Sequence, residues 1–164
     1  MPRAWNKRGV WGEMQMLSEY LAAHYPNDQV RMRVRMGTVQ LPTTGGLSER
    51  DARAVNHVFL RWADAVVVTP TELIVIEAKM RADPSAISQL ELYRELVPKT
   101  QELLPFLGRR IVAELVVSIE DPAVTAMASR RSIRVRVYKP AWLGEWAARR
   151  RRNESRPTLS GGLT

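Results

Sequence analysis

The sequence predicts a single mixed α/β domain, a central β-sheet flanked by helices in the order α-β-ββ-α-β-(α)-β. Three observations lead there. Apolar residues recur at helical spacing near the N-terminus and again over 84–97. The stretches "QVRMRVRMG" and "SIRVRVYKP" alternate with the period of two that marks a half-buried strand. Apolar runs near 57–68, 72–80 and 110–120 have strand length, and the first two read as central strands covered on both sides. With 164 residues, 45% hydrophobic and 26% charged, the chain is long enough for one real core and too apolar for wholesale disorder.

Residues 10–24 read as the first helix, because Val10, Met14, Leu17 and Leu21 form one face. Glu13 lies on the flank of that stripe, and Glu19 points away. In the strand over 29–37, Val30, Met32, Val34 and Met36 fall on one side and Arg31, Arg33 and Arg35 on the other. Residues 37–56 are the least regular. "LPTTGGLSER" reads as a loop, and Ser48 with Asp51 can start a short helix. Two strands follow, joined by "TPTE", where Pro70 favours a type I turn. Asp83-Pro84 caps a helix over 84–97, which Pro98 ends. A short helical stretch reaches about residue 107. Strands over 110–120 and 132–140 complete the sheet, the second with Arg134 and Arg136 outward. The domain is expected to span 1–148. Residues 149–164 are basic, then polar and Gly/Ser-rich, and are expected to form a basic tail, disordered from about residue 153.

Composition removes several function classes. There is no cysteine, hence no disulfide framework and no thiolate metal site. His24 and His57 are too few for a typical structural zinc site. No apolar run approaches the roughly 20 residues that span a bilayer. "MPRAWNKRGVW" lacks the apolar core of a signal peptide, so an intracellular, soluble, cytoplasmic protein with no membrane partner is expected. Neither G-x-x-x-x-G-K-[ST] nor G-x-S-x-G occurs, which argues against a P-loop NTPase and a nucleophile-elbow hydrolase. The net charge is +8, and 21 of the 25 basic residues are Arg. With a pI near 10.6, this surplus suggests a polyanionic partner, most often nucleic acid. A GC-rich genome or a thermophilic source is the alternative reason for so much Arg.

The stretch "RWADAVVVTPTELIVIEAKMR" places single acids in apolar strands. If the hairpin closes symmetrically about residues 70 and 71, paired positions sum to 141. Val68 then faces Leu73, Val66 faces Val75 and Asp64 faces Glu77, with Lys79 on the same face. Two opposed carboxylates beside buried surface repel each other and resist ionisation. A hard divalent cation, Mg²⁺ or Mn²⁺, resolves that conflict, and water activated by it could attack a phosphodiester. The alternative is that both acids sit at exposed strand ends, paired to Arg61, Lys79 or Arg81; a β-bulge would also shift the register. On the helix over 84–97, the apolar arc holds Ala86, Leu90, Leu92, Tyr93, Leu96 and Val97. Gln89 falls inside that arc and needs hydrogen-bond partners there.

An acid on the first helix (Glu13), Asp64 on one strand, "EAK" at Glu77-Ala78-Lys79 on the next, and "QLELY" from Gln89 to Tyr93 on a helix form an ordered set. This set resembles the PD-(D/E)XK nuclease superfamily, with its restriction-endonuclease-like fold, over about residues 10–138. The resemblance implies that Asp64, Glu77 and the Ala78 carbonyl hold Mg²⁺ (or Mn²⁺), with Glu13 in support, directly or through water. It implies that Lys79 orients or activates water and steadies transition-state charge. It gives Gln89 a role in positioning substrate or a metal-bound water, and Tyr93 a place near the nucleic acid with a partly structural role as the alternative. Ala63 stands where the family's motif has Pro, a position that varies widely.

The function expected from all this is metal-dependent endonucleolytic hydrolysis, with DNA as the substrate. Arg31, Arg33, Arg35, Arg134 and Arg136 are candidates for the phosphate backbone, against the alternative of a solvated strand face. Arg149 to Arg152 read as a flexible basic tail, and Trp142 and Trp146 as packing residues. No recognition helix is evident, so specificity for structure, or a target supplied by a partner, fits best. A homodimer would supply the two sites that cutting both strands often uses. Two competing readings remain: a catalytically silent nucleic-acid-binding module of the same fold, and an assembly protein that is basic for solubility.

Overall fold

The structure, a computed structural model, describes residues 7–38, 45–58 and 60–154. Its elements are α1 (Lys7–His24), β1 (Gln29–Met36), α2 (Glu49–Val58), β2 (Arg61–Val68), β3 (Glu72–Arg81) and α3 (Pro84–Leu96). Two short 3-10 turns, Val97–Lys99 and Gln101–Phe106, lead into β4 (Arg110–Ile119), α4 (Pro122–Arg130), β5 (Ile133–Val137) and α5 (Leu143–Glu154). The five strands form one sheet in sequence order, β1-β2-β3-β4-β5. The first two pairings are antiparallel and the last two parallel, so the fold is the expected α/β domain with a mixed sheet.

Both faces of the sheet are covered, which is why β2, β3 and β4 are almost wholly apolar. On one face, Val66, Leu73, Val75 and Leu115 pack against Ile87, Leu90 and Tyr93 of α3 and Val124 and Ala128 of α4. On the other, Ala65, Val67, Ile74, Ile76 and Ala78 meet Met16, Leu17, Tyr20 and Leu21 of α1, with Trp142 and Trp146 from the C-terminal segment. The helices α3 and α4 start by the same device. Asp83 accepts a hydrogen bond from the Ser85 N–H at 2.7 Å, Asp121 accepts one from the Ala123 N–H at 2.9 Å, and Pro follows each cap. Among the described residues, no helix is long and apolar enough to cross a membrane.

Several expectations are corrected. Residues 49–58 form α2, so β2 begins only at Arg61. Met32 is 39% exposed, because β1 does not alternate throughout. Arg33 takes a left-handed conformation (φ +52°), which turns the strand over. Val30 thus joins the α1 face, while Val34 and Met36 join the α3 face. On α3, Leu92 is 37% exposed and Ile87 takes the buried place instead, one turn ahead of Leu90 and Glu91 in the 3.6-residue repeat. Arg149 to Arg152 continue α5, which ends at Glu154. Residues 39–44 of the loop, the side chain of Val10, and residues 155–164 of the expected tail lie outside the described residues.

Candidate active site

The β2–β3 hairpin closes in the symmetric register: Val68 pairs with Leu73, Val67 with Ile74, Val66 with Val75 and Ala65 with Ile76. One step further, the same register sets Asp64 opposite Glu77. There the β2–β3 ladder stops, although β3 stays paired with β4 as far as Arg81. A side chain takes over from the ladder: the Ala78 N–H donates to Asp64 Oδ2 at 2.9 Å. The acid thus satisfies a backbone donor that the neighbouring strand has released.

Glu77 is only 3% exposed. Its Oε1 lies 2.9 Å from Lys79 Nζ, and its Oε2 is buried without a hydrogen-bond partner. Burial, then the charge of Asp64, pushes the Glu77 carboxyl up to about 7, against the pull of Lys79. Burial also raises Asp64, partly offset by the Ala78 N–H, Lys79 and Arg33. For Lys79, burial alone would favour the neutral amine; Glu77, Glu13 and Asp64 outweigh it and hold the ammonium above its usual value. Glu13 reaches the same end of the sheet from α1, where its Oε1 accepts from the Met80 N–H at 3.3 Å. Burial raises its carboxyl as well, against Lys79 and the Met80 N–H. Asp64, Glu77, Lys79 and Glu13 therefore share one electrostatic neighbourhood, with Arg33 acting on Asp64 and Arg150 on Glu13 from its edges. Among the described residues, no three His, Cys, Asp or Glu side chains converge tightly enough to hold a metal ion by themselves.

The helix α3 supplies the other two expected residues with unequal results. Gln89 is half-buried, and its Oε1 is buried without a partner, as its place in the apolar arc implied. Tyr93 is 3% exposed, and its hydroxyl donates to the Trp62 carbonyl at 2.8 Å. That corrects its expected contact with nucleic acid: Tyr93 ties α3 to β2 just before Asp64. Burial and the charges of Glu77 and Asp64 hold its phenol above the usual range.

The arginines divide. Arg31 is ion-paired to Glu102 at 3.0 Å and lies over the Phe106 ring. Arg134, expected outward, turns to the α1 face and bonds Glu72 at 3.0 Å and Glu114 at 3.2 Å. Arg136 stands 3.8 Å from Glu114 and is exposed. Arg33 and Arg35 are exposed on β1, beside Asp64 and Trp62.

Two features were missed in the sequence. Glu114 is fully buried and accepts hydrogen bonds from the Tyr20 hydroxyl at 2.7 Å and from Arg134. It announces itself as Asp64 does, as a lone acid in the apolar run "RIVAELVVSIE". The second is α5. Its Arg150 lies close enough to Glu13 to favour that carboxylate, and Trp146 packs where a Cβ on Gly12 would come within 3.0 Å of the indole Nε1.

A scan against protein-family models and a search of curated proteins find no match to this chain. Among solved structures, a chain in an EndoMS-dsDNA2 complex is similar at 14% identity and a TM-score of 0.45, over 79% of this chain. The match spans 45% of that longer chain.

Proposed function

We propose that this chain is a metal-dependent endonuclease of the PD-(D/E)XK kind, acting on DNA. One observation carries the reading. Glu77 is buried with one oxygen unpartnered, and burial and Asp64 oppose its ionisation although Lys79 lies 2.9 Å away. A buried carboxylate without full compensation is costly, and a dication is the usual remedy. The donors suit Mg²⁺ or Mn²⁺, which prefer hard oxygen ligands and commonly take one or two carboxylates. Asp64, Glu77 and the Ala78 carbonyl would hold it, with Glu13 in support. When bound, the cation supplies Lewis-acid polarisation and lowers the pKa of water in its shell.

The remaining work falls to the chain itself. The Ala78 N–H fixes Asp64, so its carboxylate is oriented before substrate arrives. Lys79, 27% exposed at its side chain, is the cation that can reach a phosphate from this floor. Its ammonium stabilises charge building on the phosphoryl oxygens. Gln89 offers an unpartnered carbonyl oxygen to a water or a substrate donor. Exposed Arg33 and Arg35 extend the positive surface along the substrate backbone.

The test is cleavage of supercoiled plasmid, linear duplex, single-stranded DNA, a four-way junction and RNA, with Mg²⁺, Mn²⁺ or EDTA. Asp64→Ala and Lys79→Ala proteins run beside the wild type. Cutting that needs the metal and vanishes in both variants supports the reading. Binding without cutting, unchanged by either substitution, sinks it in favour of a silent nucleic-acid-binding module.

A further inference from the structure

We propose that Trp62, flanked by Arg33 and Arg35, is a stacking platform for an unpaired nucleobase, so that the preferred substrate carries a single-stranded or unstacked nucleotide beside the acids. The inference rests on the nuclease reading, because it takes Asp64 and Glu77 as the reacting end.

Trp62 lies on β2 two residues before Asp64, roughly 7 Å away along the strand, and Arg33 of the neighbouring strand reaches both. Trp62 is 39% exposed, on a strand whose following residues, Asp64 apart, are buried. The Tyr93 hydroxyl holds its carbonyl, so the ring projects from a fixed backbone. Arg35 is its direct partner on β1, and the Arg33 guanidinium lies over the ring at 5.9 Å. Arg33 is also the residue in the left-handed conformation. The register that pairs Met32 with Ala65 and Val34 with Ala63 sets it across from Asp64. A non-glycine residue held there is strained, and such strain gathers at binding and catalytic sites. From that position its guanidinium lies over the indole, and its charge favours the ionised Asp64.

The chemistry of this surface selects its ligand. Two guanidiniums suit phosphates on either side of one nucleotide. An indole between them suits a base, since every base has a π-face. Inside a duplex both faces of a base are already stacked. The platform is therefore usable only by a base with a free face, as in a single strand, a flap, a frayed end or a flipped nucleotide. Arg31 and Arg134 are committed to Glu102, Glu72 and Glu114, so they do not broaden the surface into a general duplex track.

The test uses the full chain in EDTA, where nothing is cut. Fluorescence anisotropy measures binding of a labelled thymidine oligomer and of a blunt duplex of equal length. Trp62→Ala should weaken oligomer binding about ten-fold or more, and duplex binding less than about two-fold. Trp62→Phe keeps a ring and should retain oligomer binding within about three-fold. Equal losses on both ligands, no loss on either, or a Phe variant as weak as the Ala variant overturns the platform. Cleavage by the wild type in Mg²⁺ is read in parallel. Trp62-dependent oligomer binding without any cleavage sinks the nuclease and leaves the platform standing. Cleavage with no effect of Trp62→Ala does the reverse.

Discussion

Replacing Glu77 by Gln should stabilise the metal-free protein, and by an amount set by pH. In the folded state burial and Asp64 raise the Glu77 carboxyl from an ordinary 4.5 to about 7. A group with a raised folded pKa contributes its full stability below the unfolded value and loses it as pH rises through the folded value. Between pH 4.5 and 7 the folded protein holds a proton that the unfolded chain releases, so folding becomes progressively harder. Converted directly, the shift corresponds to roughly 3 kcal/mol above pH 7. Gln keeps the volume and the acceptor toward Lys79 but carries no charge, so most of that cost disappears. The loss of the ion pair with Lys79 works against it, which leaves a gain of about 1–3 kcal/mol at pH 8. For a chain of this size, that corresponds to a rise of roughly 2–10 °C in Tm. The assay is urea or thermal denaturation of both proteins in EDTA from pH 4 to pH 8.5. The difference should be near zero at the acid end and grow through neutrality. Adding Mg²⁺ or Mn²⁺ at pH 8 should raise wild-type stability through mass action and leave the variant nearly unmoved. A variant equally or less stable at pH 8, or a difference that does not change with pH, would refute the account of Glu77.

Other outcomes follow from the same contacts. Lys79→Met removes the ion-pair partner of Glu77, so stability should fall by about 2–4 kcal/mol at pH 8 and much less at pH 5. A loss independent of pH in paired denaturation curves would show that Lys79 acts by packing alone. Glu114→Gln leaves the part-buried Arg134 and the Tyr20 hydroxyl facing a neutral amide, and should cost about 3 kcal/mol in urea denaturation. A cost under about 1 kcal/mol would mean that Glu72 alone suffices for Arg134. Gly12→Ala drives a methyl against the Trp146 indole, 3.0 Å away. Overpacking of that kind costs about 1–3 kcal/mol, more than the helix propensity of Ala returns. It should loosen α5, seen as faster trypsin cutting at Arg149 to Arg152, and an unchanged digestion rate would count against that docking.

The hairpin register was readable because two constraints coincide: a turn centred on residues 70 and 71, and a side-chain period of two. Faces were less readable. Alternation says which residues share a side but not whether that side is covered, so Arg134 read as solvated although α1 and Glu114 lie over it. The reversal at Arg33 left no trace, because Arg has no special preference for the left-handed region that Asn or Gly would have announced. The boundary between α2 and β2 is hidden because "HVFL" continues the apolar run of β2 without a break, so the strand reads as starting near 57 rather than at Arg61. The lone-acid signal behaved differently, since it marks two places with opposite meanings. At Glu114 the surroundings match the charge: two tyrosine hydroxyls lie within hydrogen-bond reach and Arg134 and Arg136 stand close by. That cluster is satisfied and ties α1 to β4 and β5. At Glu77 the surroundings fall short: Lys79 pairs with one oxygen, the other is buried without a partner, and Asp64 and Glu13 add negative charge nearby. Three acids gather where two strands part, with Lys79 the cation nearest Glu77, and the pH and metal dependence of Glu77→Gln tests directly whether a second cation completes the set.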